Sequence, residues 1–501
     1  MATGTIISLA LYFIAMLAIG LYAYKHSTSD VQEYMLGGRQ LSPKVMALSA
    51  GASDMSGWML MGLPGAMYVS GLSSAWIGIG LTIGAFCNYV LVAPRLRVHT
   101  EVTNAITIPD YFEHRFNDQS RILRLVSSAV IVLFFTLYTS SGVVAGGKLF
   151  ESSFGLSYEL GLYVTAGVVV MYTLFGGFLA VSLTDFVQGC IIFISLVIVP
   201  AMLIYLLGGF GEISSSVTAI NPNLLSLFSD IDGNSLSALG IISLLAWGLG
   251  YFGQPHIIVR FMALRSVKDM PTARRIGISW MIVSLIGALA TGLLGLVYVT
   301  QTQAKLTDPE TIFIFLSQTL FHPLIGGFLL AAILAAIMST ISSQLLVSSS
   351  SLTGDFYRIF LRKHASQKEL VLVGRLSVIL VALIAIALAY DRNSSILSLV
   401  SNAWAGFGAA FGPLILISLF WKGMTRAAAI AGMISGAVTV LIWIYAPITL
   451  HGETLGSIMY EIVPGFLVSS VVIFVVSKFT KPVDEVAGLA FDQARQALAQ
   501  D

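Results

Sequence analysis

Gly51-Ala52-Ser53-Asp54-Met55-Ser56-Gly57 lies inside a stretch, 45–70, that otherwise reads as a membrane-spanning helix. A carboxylate at the bilayer centre costs roughly 2.5–3.5 kcal/mol on insertion scales, so Asp54 needs a partner there. Gly51 and Gly57 flank it and weaken the helix, which frees backbone carbonyls at the same depth. A carboxylate, hydroxyls and loose carbonyls are what a hard, desolvated cation requires. The stretch therefore points to a cation site within a membrane.

The surrounding chain has the composition such a site needs. Hydrophobic residues make up 56% of the 501, and only 10% are charged, where soluble domains carry about 25%. Apolar runs of about 18 residues or more recur from end to end, each long enough to cross a bilayer as a helix. About thirteen spans are expected, near 5–24, 45–70, 72–94, 125–149, 158–181, 187–207, 237–258, 278–300, 322–353, 372–390, 396–420, 427–446 and 459–477. The class is an all-α membrane protein: one transmembrane domain, 1–480, and a cytoplasmic tail, 481–501. Of the 26 Lys and Arg, 23 fall on one side of these spans, against Lys148, Lys305 and Arg392 on the other. That bias marks the basic side as cytoplasmic and puts the N-terminus outside. Nothing basic precedes the first apolar run and Lys25 follows it, so the run is expected to be a retained helix. Cys87 and Cys190 fall in spans and read as small hydrophobes.

A second interrupted span carries Leu245-Ala246-Trp247-Gly248-Leu249-Gly250-Tyr251-Phe252-Gly253-Gln254-Pro255-His256. Proline removes a helix donor and the glycines permit unwinding. This is the seventh span, five after the second. Matching breaks in two halves point to a transporter with inverted repeats and a midplane site. Helices 2–6 and 7–11, about 45–207 and 237–420, are then the repeats, opposed in direction because five is odd. Glycines also serve close helix packing, and Gly432 and Gly436 in the twelfth span read that way. Asp54, Trp247 and Gln254 add polar atoms that packing does not need.

The ninth span supplies a third polar cluster, Ala335-Ala336-Ile337-Met338-Ser339-Thr340-Ile341-Ser342-Ser343-Gln344. Ser339 and Thr340 are about 100° apart on a helix, so their hydroxyls share a point only between their directions. Ala336 lies on the face of Ser339 and could offer a carbonyl. Hydroxyls and carbonyls in that arrangement suit Na⁺; the competing reading is that each hydroxyl bonds back to the carbonyl four residues before it.

Other classes fit poorly. Gly142-Val143-Val144-Ala145-Gly146-Gly147-Lys148 has the spacing of a phosphate-binding loop, but Leu149 replaces the Ser or Thr and the run ends a membrane helix. No segment resembles a channel filter. The tail after Lys478 is too short for a signalling domain.

The segments ASDMSGW (52–58), FFTLYTSSGVVAGGKLFE (134–151), WGLGYFGQPHIIVRFMA (247–263), AAIMSTISSQLLVSSSSLTGDFY (335–357) and SNAWAGFGAAFGP (401–413) resemble the sodium/solute symporter family. The resemblance runs from about residue 5 to 480. It implies thirteen helices around a five-plus-five inverted-repeat core, and Na⁺-coupled uptake of L-proline across a bacterial inner membrane. It also implies sodium ligation by the carbonyls of Ala52, Met55 and Ala336 and the hydroxyls of Ser339 and Thr340. Asp54, Ser56 and Gly57 match positions for cation coupling, and Tyr138, Trp247, Tyr251 and Pro255 positions of the substrate pocket. Arg39 and Asp185, at the cytoplasmic side, match positions that affect transport without being ligands.

Trp247 and Tyr251 are at i and i+4, one helix face, and aromatic faces suit both the proline ring and its cationic nitrogen. Asp54 is expected either to touch the ion or, as the ligand set favours, to balance its charge and hold the unwound helix. The competing substrates are another amino acid, a carboxylate or pantothenate in the same fold; proton coupling through Asp54 is a weaker competitor. Na⁺ is the only cofactor expected, with no organic cofactor and no nucleic acid. Membrane lipids are partners, and the basic loops either contact anionic lipid or only set topology. Oligomeric state is not readable.

Overall fold

The apolar runs fold as helices in a computed structural model that describes residues 2–26, 36–175, 178–450, 452–481 and 483–500. Among these residues ten helical runs are long and apolar enough to cross a membrane, joined by two shorter apolar helices, Tyr158–Met171 and Ala238–Gly253. The longest run, Trp58–Val102, breaks at Gly71, whose φ of +68° favours glycine. It holds the end of the second span, Leu63–Ser70, and the third, from Ala75–Cys87 to Ala93–Val102. With that division the thirteen expected spans are present.

Their limits follow from local chemistry. Ser42 accepts a hydrogen bond from the Val45 amide and Pro43 opens the second span, Pro43–Asp54. Ser237 caps the seventh, Ala238–Leu245, and Thr425 the twelfth, Arg426–Tyr445, in the same way. The fourth span is Ile122–Phe154, the eighth Met270–Thr302 and the ninth Pro323–Ser350, the last continuing as a π-helix over Ser351–Leu361. The ninth and the eleventh, Ile396–Phe420, are 83% buried across their most apolar windows, against 22% for the first. They form the centre, and the first span lies at the edge.

One boundary moves. The sixth span is Phe178–Leu206, so it starts nine residues before the expected 187. Asp185, expected at the cytoplasmic side, lies inside this helix and is fully buried.

Both interrupted spans are interrupted as expected. The second leaves helical geometry at Met55 (φ −82°, ψ 76°) and resumes at Trp58–Gly62. The seventh tightens to a 3₁₀-helix over Ala246–Gly253, opens at Gln254 (φ −84°, ψ 105°) and resumes at Pro255–Ala263. The third and seventh spans meet backbone to backbone. A Cβ on Gly84 would lie 2.2 Å from the Gly248 oxygen, and one on Gly248 2.2 Å from the Gly80 oxygen. Gly436 likewise packs against Ala409 of the eleventh span, so the twelfth-span glycines do serve close packing.

Candidate functional site

The break at Met55 ends the helical ladder just where the second span faces the ninth. The Ala52 carbonyl accepts the Ser339 hydroxyl at 2.7 Å and lies 3.4 Å from that of Thr340. Ser339 Oγ is also 3.2 Å from the Ala336 carbonyl. Ala52, Ala336, Ser339 and Thr340 are all buried. Four of the five expected sodium ligands thus converge, and the fifth, Met55, is the residue at which the helix opens. Both hydroxyls meet a carbonyl of another helix, and Ser339 also bonds back to Ala336 within the ninth span.

Asp54 faces the other way. Its carboxylate accepts the Tyr251 hydroxyl through Oδ2, and its Oδ1 has no partner among the described residues. Its backbone carbonyl accepts Trp58 Nε1 at 3.0 Å and the Tyr138 hydroxyl at 3.3 Å. Asp54 therefore ties the second span to the fourth and seventh. Beside its carboxylate is a chamber bounded by Asn88, Tyr89, Tyr251 and Met281. Ser56 turns its hydroxyl back to the Trp58 amide at 3.5 Å, and a Cβ on Gly57 would meet that of Ala145 at 2.7 Å.

The expected substrate residues do not line one cavity. Tyr138 and Tyr251 meet at Asp54. The Trp247 ring stacks on Tyr460 at 5.4 Å, and its carbonyl accepts Trp404 Nε1 at 2.7 Å. Trp404 also stands edge-on to Tyr251 at 5.0 Å. Pro255 lines a separate cleft nearer the basic end, with Val259, Arg260 and Ser343.

Asp185 and Arg260 form a second centre below the hydroxyl pair. Asp185 Oδ2 accepts Ser49 Oγ at 2.9 Å, Ser53 Oγ at 3.1 Å and Arg260 Nη2 at 3.3 Å. Arg260 also donates to Ser343 Oγ at 2.8 Å, and Ser343 Oγ donates to the Ser339 carbonyl at 2.8 Å. An ion pair is thus one hydroxyl away from the backbone of an expected sodium ligand. Counting Arg260 with the cytoplasmic loop charges is corrected here, since it is 1% exposed. The available signal was its place in an apolar helix, four residues after His256. Trp404, in the eleventh span, joins Trp247 and Tyr251 across spans, which no local spacing in the sequence signals.

Arg39 is a carbonyl clamp. It donates to Met262 O at 2.9 Å, Thr100 O at 3.0 Å and Ala105 O at 2.5 Å, holding the basic ends of the third and seventh spans together. Burial first, and the positive charge of Arg97 second, lower its guanidinium to about 10.

At the opposite end Lys148 pairs with Asp308 at 2.9 Å and Glu310 at 2.8 Å. The Glu310 carboxylate also accepts the Ile396 and Leu397 amides, capping the eleventh span.

The chain matches the description "Sodium:solute symporter family" over residues 34–436. It is 58% identical over 483 residues to the curated sodium/proline symporters of Staphylococcus aureus strains JH9 and NCTC 8325 / PS 47, covering 95% of this chain and 93% of each relative. Its fold is similar to that of a Na⁺-coupled sialic acid symporter in a substrate-bound outward-open state, with a TM-score of 0.77 at 21% identity over 96% of this chain and 99% of the other. It is also similar to a nucleobase-cation-symport-1 family transporter with bromovinylhydantoin bound, with a TM-score of 0.54 at 12% identity over 92% of this chain and 98% of the other. The chain belongs to the sodium:solute symporter family.

Proposed function

We propose that this chain is a secondary transporter that carries L-proline into a bacterial cell together with Na⁺. The observation that carries the reading is the convergence of the Ala52 and Ala336 carbonyls with the Ser339 and Thr340 hydroxyls at the break of the second span. The sodium/proline symporters, at 58% identity, support the choice of substrate.

Na⁺ is cargo here. Its ligands are the carbonyls of Ala52, Met55 and Ala336 and the hydroxyls of Ser339 and Thr340. Neutral oxygens leave the ion's charge uncompensated, and Asp54 supplies the nearby anion while holding the Tyr251 hydroxyl. Ion binding at the break orders the second span, and through Asp54 it fixes Tyr138 and Tyr251, the two expected substrate residues that meet there; Trp247 and Pro255 would join them only as the repeats rearrange. Half-helix N–H groups receive the substrate carboxylate. The repeats, about 45–207 and 237–420, move against one another, with the N-terminus outside and the basic end in the cytoplasm.

One Na⁺ with a zwitterion moves one positive charge. A potential of 100 mV then supplies about 2.3 kcal/mol, or about a fifty-fold bias in accumulation. Uptake of labelled proline by vesicles containing the purified chain, with imposed Na⁺ gradient and potential, tests this. Uptake that ignores both, or that a panel of unrelated solutes inhibits as well as proline does, overturns it. Asp54→Glu should retain more Na⁺-dependent uptake than Asp54→Leu if the carboxylate balances charge rather than ligating the ion.

A further inference from the structure

The final helix, Glu485–Gln500, is amphipathic and docks on the basic end of the molecule. Ala487, Gly488, Phe491 and Ala494 are its buried face. Phe491 lies under the Arg115 guanidinium at 4.9 Å, and Asp492 pairs with Lys422 at 2.5 Å. Between this helix and the ends of the third and eleventh spans is a cleft of about 460 Å³.

The lining of that cleft has one sign. Arg95, His99 and Arg495 face it, and among the described residues no carboxylate lines it. Its remaining wall is apolar, from Leu419, Phe420 and Leu498. His99 is 2% exposed and neither ring nitrogen has a hydrogen-bond partner among the described residues. A buried imidazole without a partner is costly unless something else fills the hydrogen bond. Arg95 lies over the Phe420 ring at 4.1 Å, which fixes its guanidinium at the cleft edge. Phe420 itself is half exposed at the end of a membrane span.

We propose that this cleft binds the phosphodiester headgroup of an anionic phospholipid. Arg95 and Arg495 supply charge, His99 supplies a hydrogen bond, and the glycerol end leaves past Phe420 toward the bilayer. Three nitrogen-bearing side chains around an apolar wall match an anion attached to hydrocarbon better than a free anion, which needs no such wall. The lipid would then join the final helix to the third and eleventh spans.

The test is native mass spectrometry of the full chain in detergent, titrated with phosphatidylglycerol, phosphatidylcholine or inorganic phosphate. Wild type should retain one phosphatidylglycerol. Arg495→Gln should weaken retention about five-fold and Arg95→Gln/Arg495→Gln about twenty-five-fold, from the usual contribution of a basic side chain near a membrane surface. Arg95 also holds the Val90 and Leu91 carbonyls, so the double variant puts folding at risk. Arg495 is exposed, and its single variant decides the matter. Arg375→Gln, an exposed charge on the tenth span, should leave retention unchanged. Equal retention of phosphatidylcholine, an equal loss in Arg375→Gln, or no loss in Arg495→Gln overturns the site. Displacement of phosphatidylglycerol by equimolar inorganic phosphate overturns the lipid assignment.

Discussion

Two of the charged centres that hold this bundle are built on different terms. The Asp185–Arg260 pair is dry, with side chains 0% and 1% exposed, and hydroxyls from the second and ninth spans complete it. The Lys148 centre is wetter, with Asp308 and Glu310 side chains 16% and 11% exposed, and half its work is capping a helix. Removing one member of a dry pair strands the other, whereas a partly hydrated centre can recruit water. The first also touches the backbone of Ser339 through Ser343; the second has no such link among the described residues. The inner centre should therefore govern both stability and ion affinity, and the outer one mainly closure and stability.

The largest effect is expected at the dry pair. Arg260→Met or Asp185→Asn alone should lower stability by about 3–5 kcal/mol, read from unfolding in detergent. The double variant should recover most of that loss while its Na⁺ affinity stays weak. Single variants as stable as wild type would break the comparison at its root. Next comes Ser343→Ala, which cuts the link while keeping the pair. Apparent Na⁺ affinity should fall about ten-fold, the scale of one hydrogen bond to a charged group. An unchanged Na⁺ dependence would reduce the inner centre to a structural feature.

The outer centre should respond less. Lys148→Met should cost about 1–2 kcal/mol, since Glu310 keeps its amide donors. Na⁺ affinity should stay within about two-fold of wild type, since the site oxygens are untouched. A larger shift would mean that the two centres are coupled. The smallest effect belongs to the surface, where the Asp110 carboxylate, through its hydrogen bond, raises the His114 imidazole above its usual 6.5. A raised folded value adds stability that is fully present below the unfolded value, near 6.5, and is lost as pH rises through the folded one. His114→Gln should flatten that part of a melting-temperature profile.

The sequence made the bundle legible because a bilayer demands apolar runs of fixed length, and because Gly and Pro mark where a helix breaks. Ser339 and Thr340 stand out as a hydroxyl pair in an apolar span, whereas Ala52 is named only through the family resemblance. The pairing of Asp185 with Arg260 was not legible, since a lone charge between apolar runs looks like a loop until its partner is known. That partner is 75 positions away. The expected proline residues were legible as a set but not as a shape: the Trp247 ring is taken by Tyr460, a contact between distant spans that helical spacing does not predict.

The glycine seam of Gly80, Gly84 and Gly248 has a mechanical consequence. Two backbones that touch without side chains between them have no rotamers to exchange and no groove to slide along. The third span and the first half of the seventh are consequently a single stiff beam drawn from both repeats. If the proposed transport proceeds by movement of the repeats against one another, that movement should pivot around this beam, with the break at Gln254 as its joint.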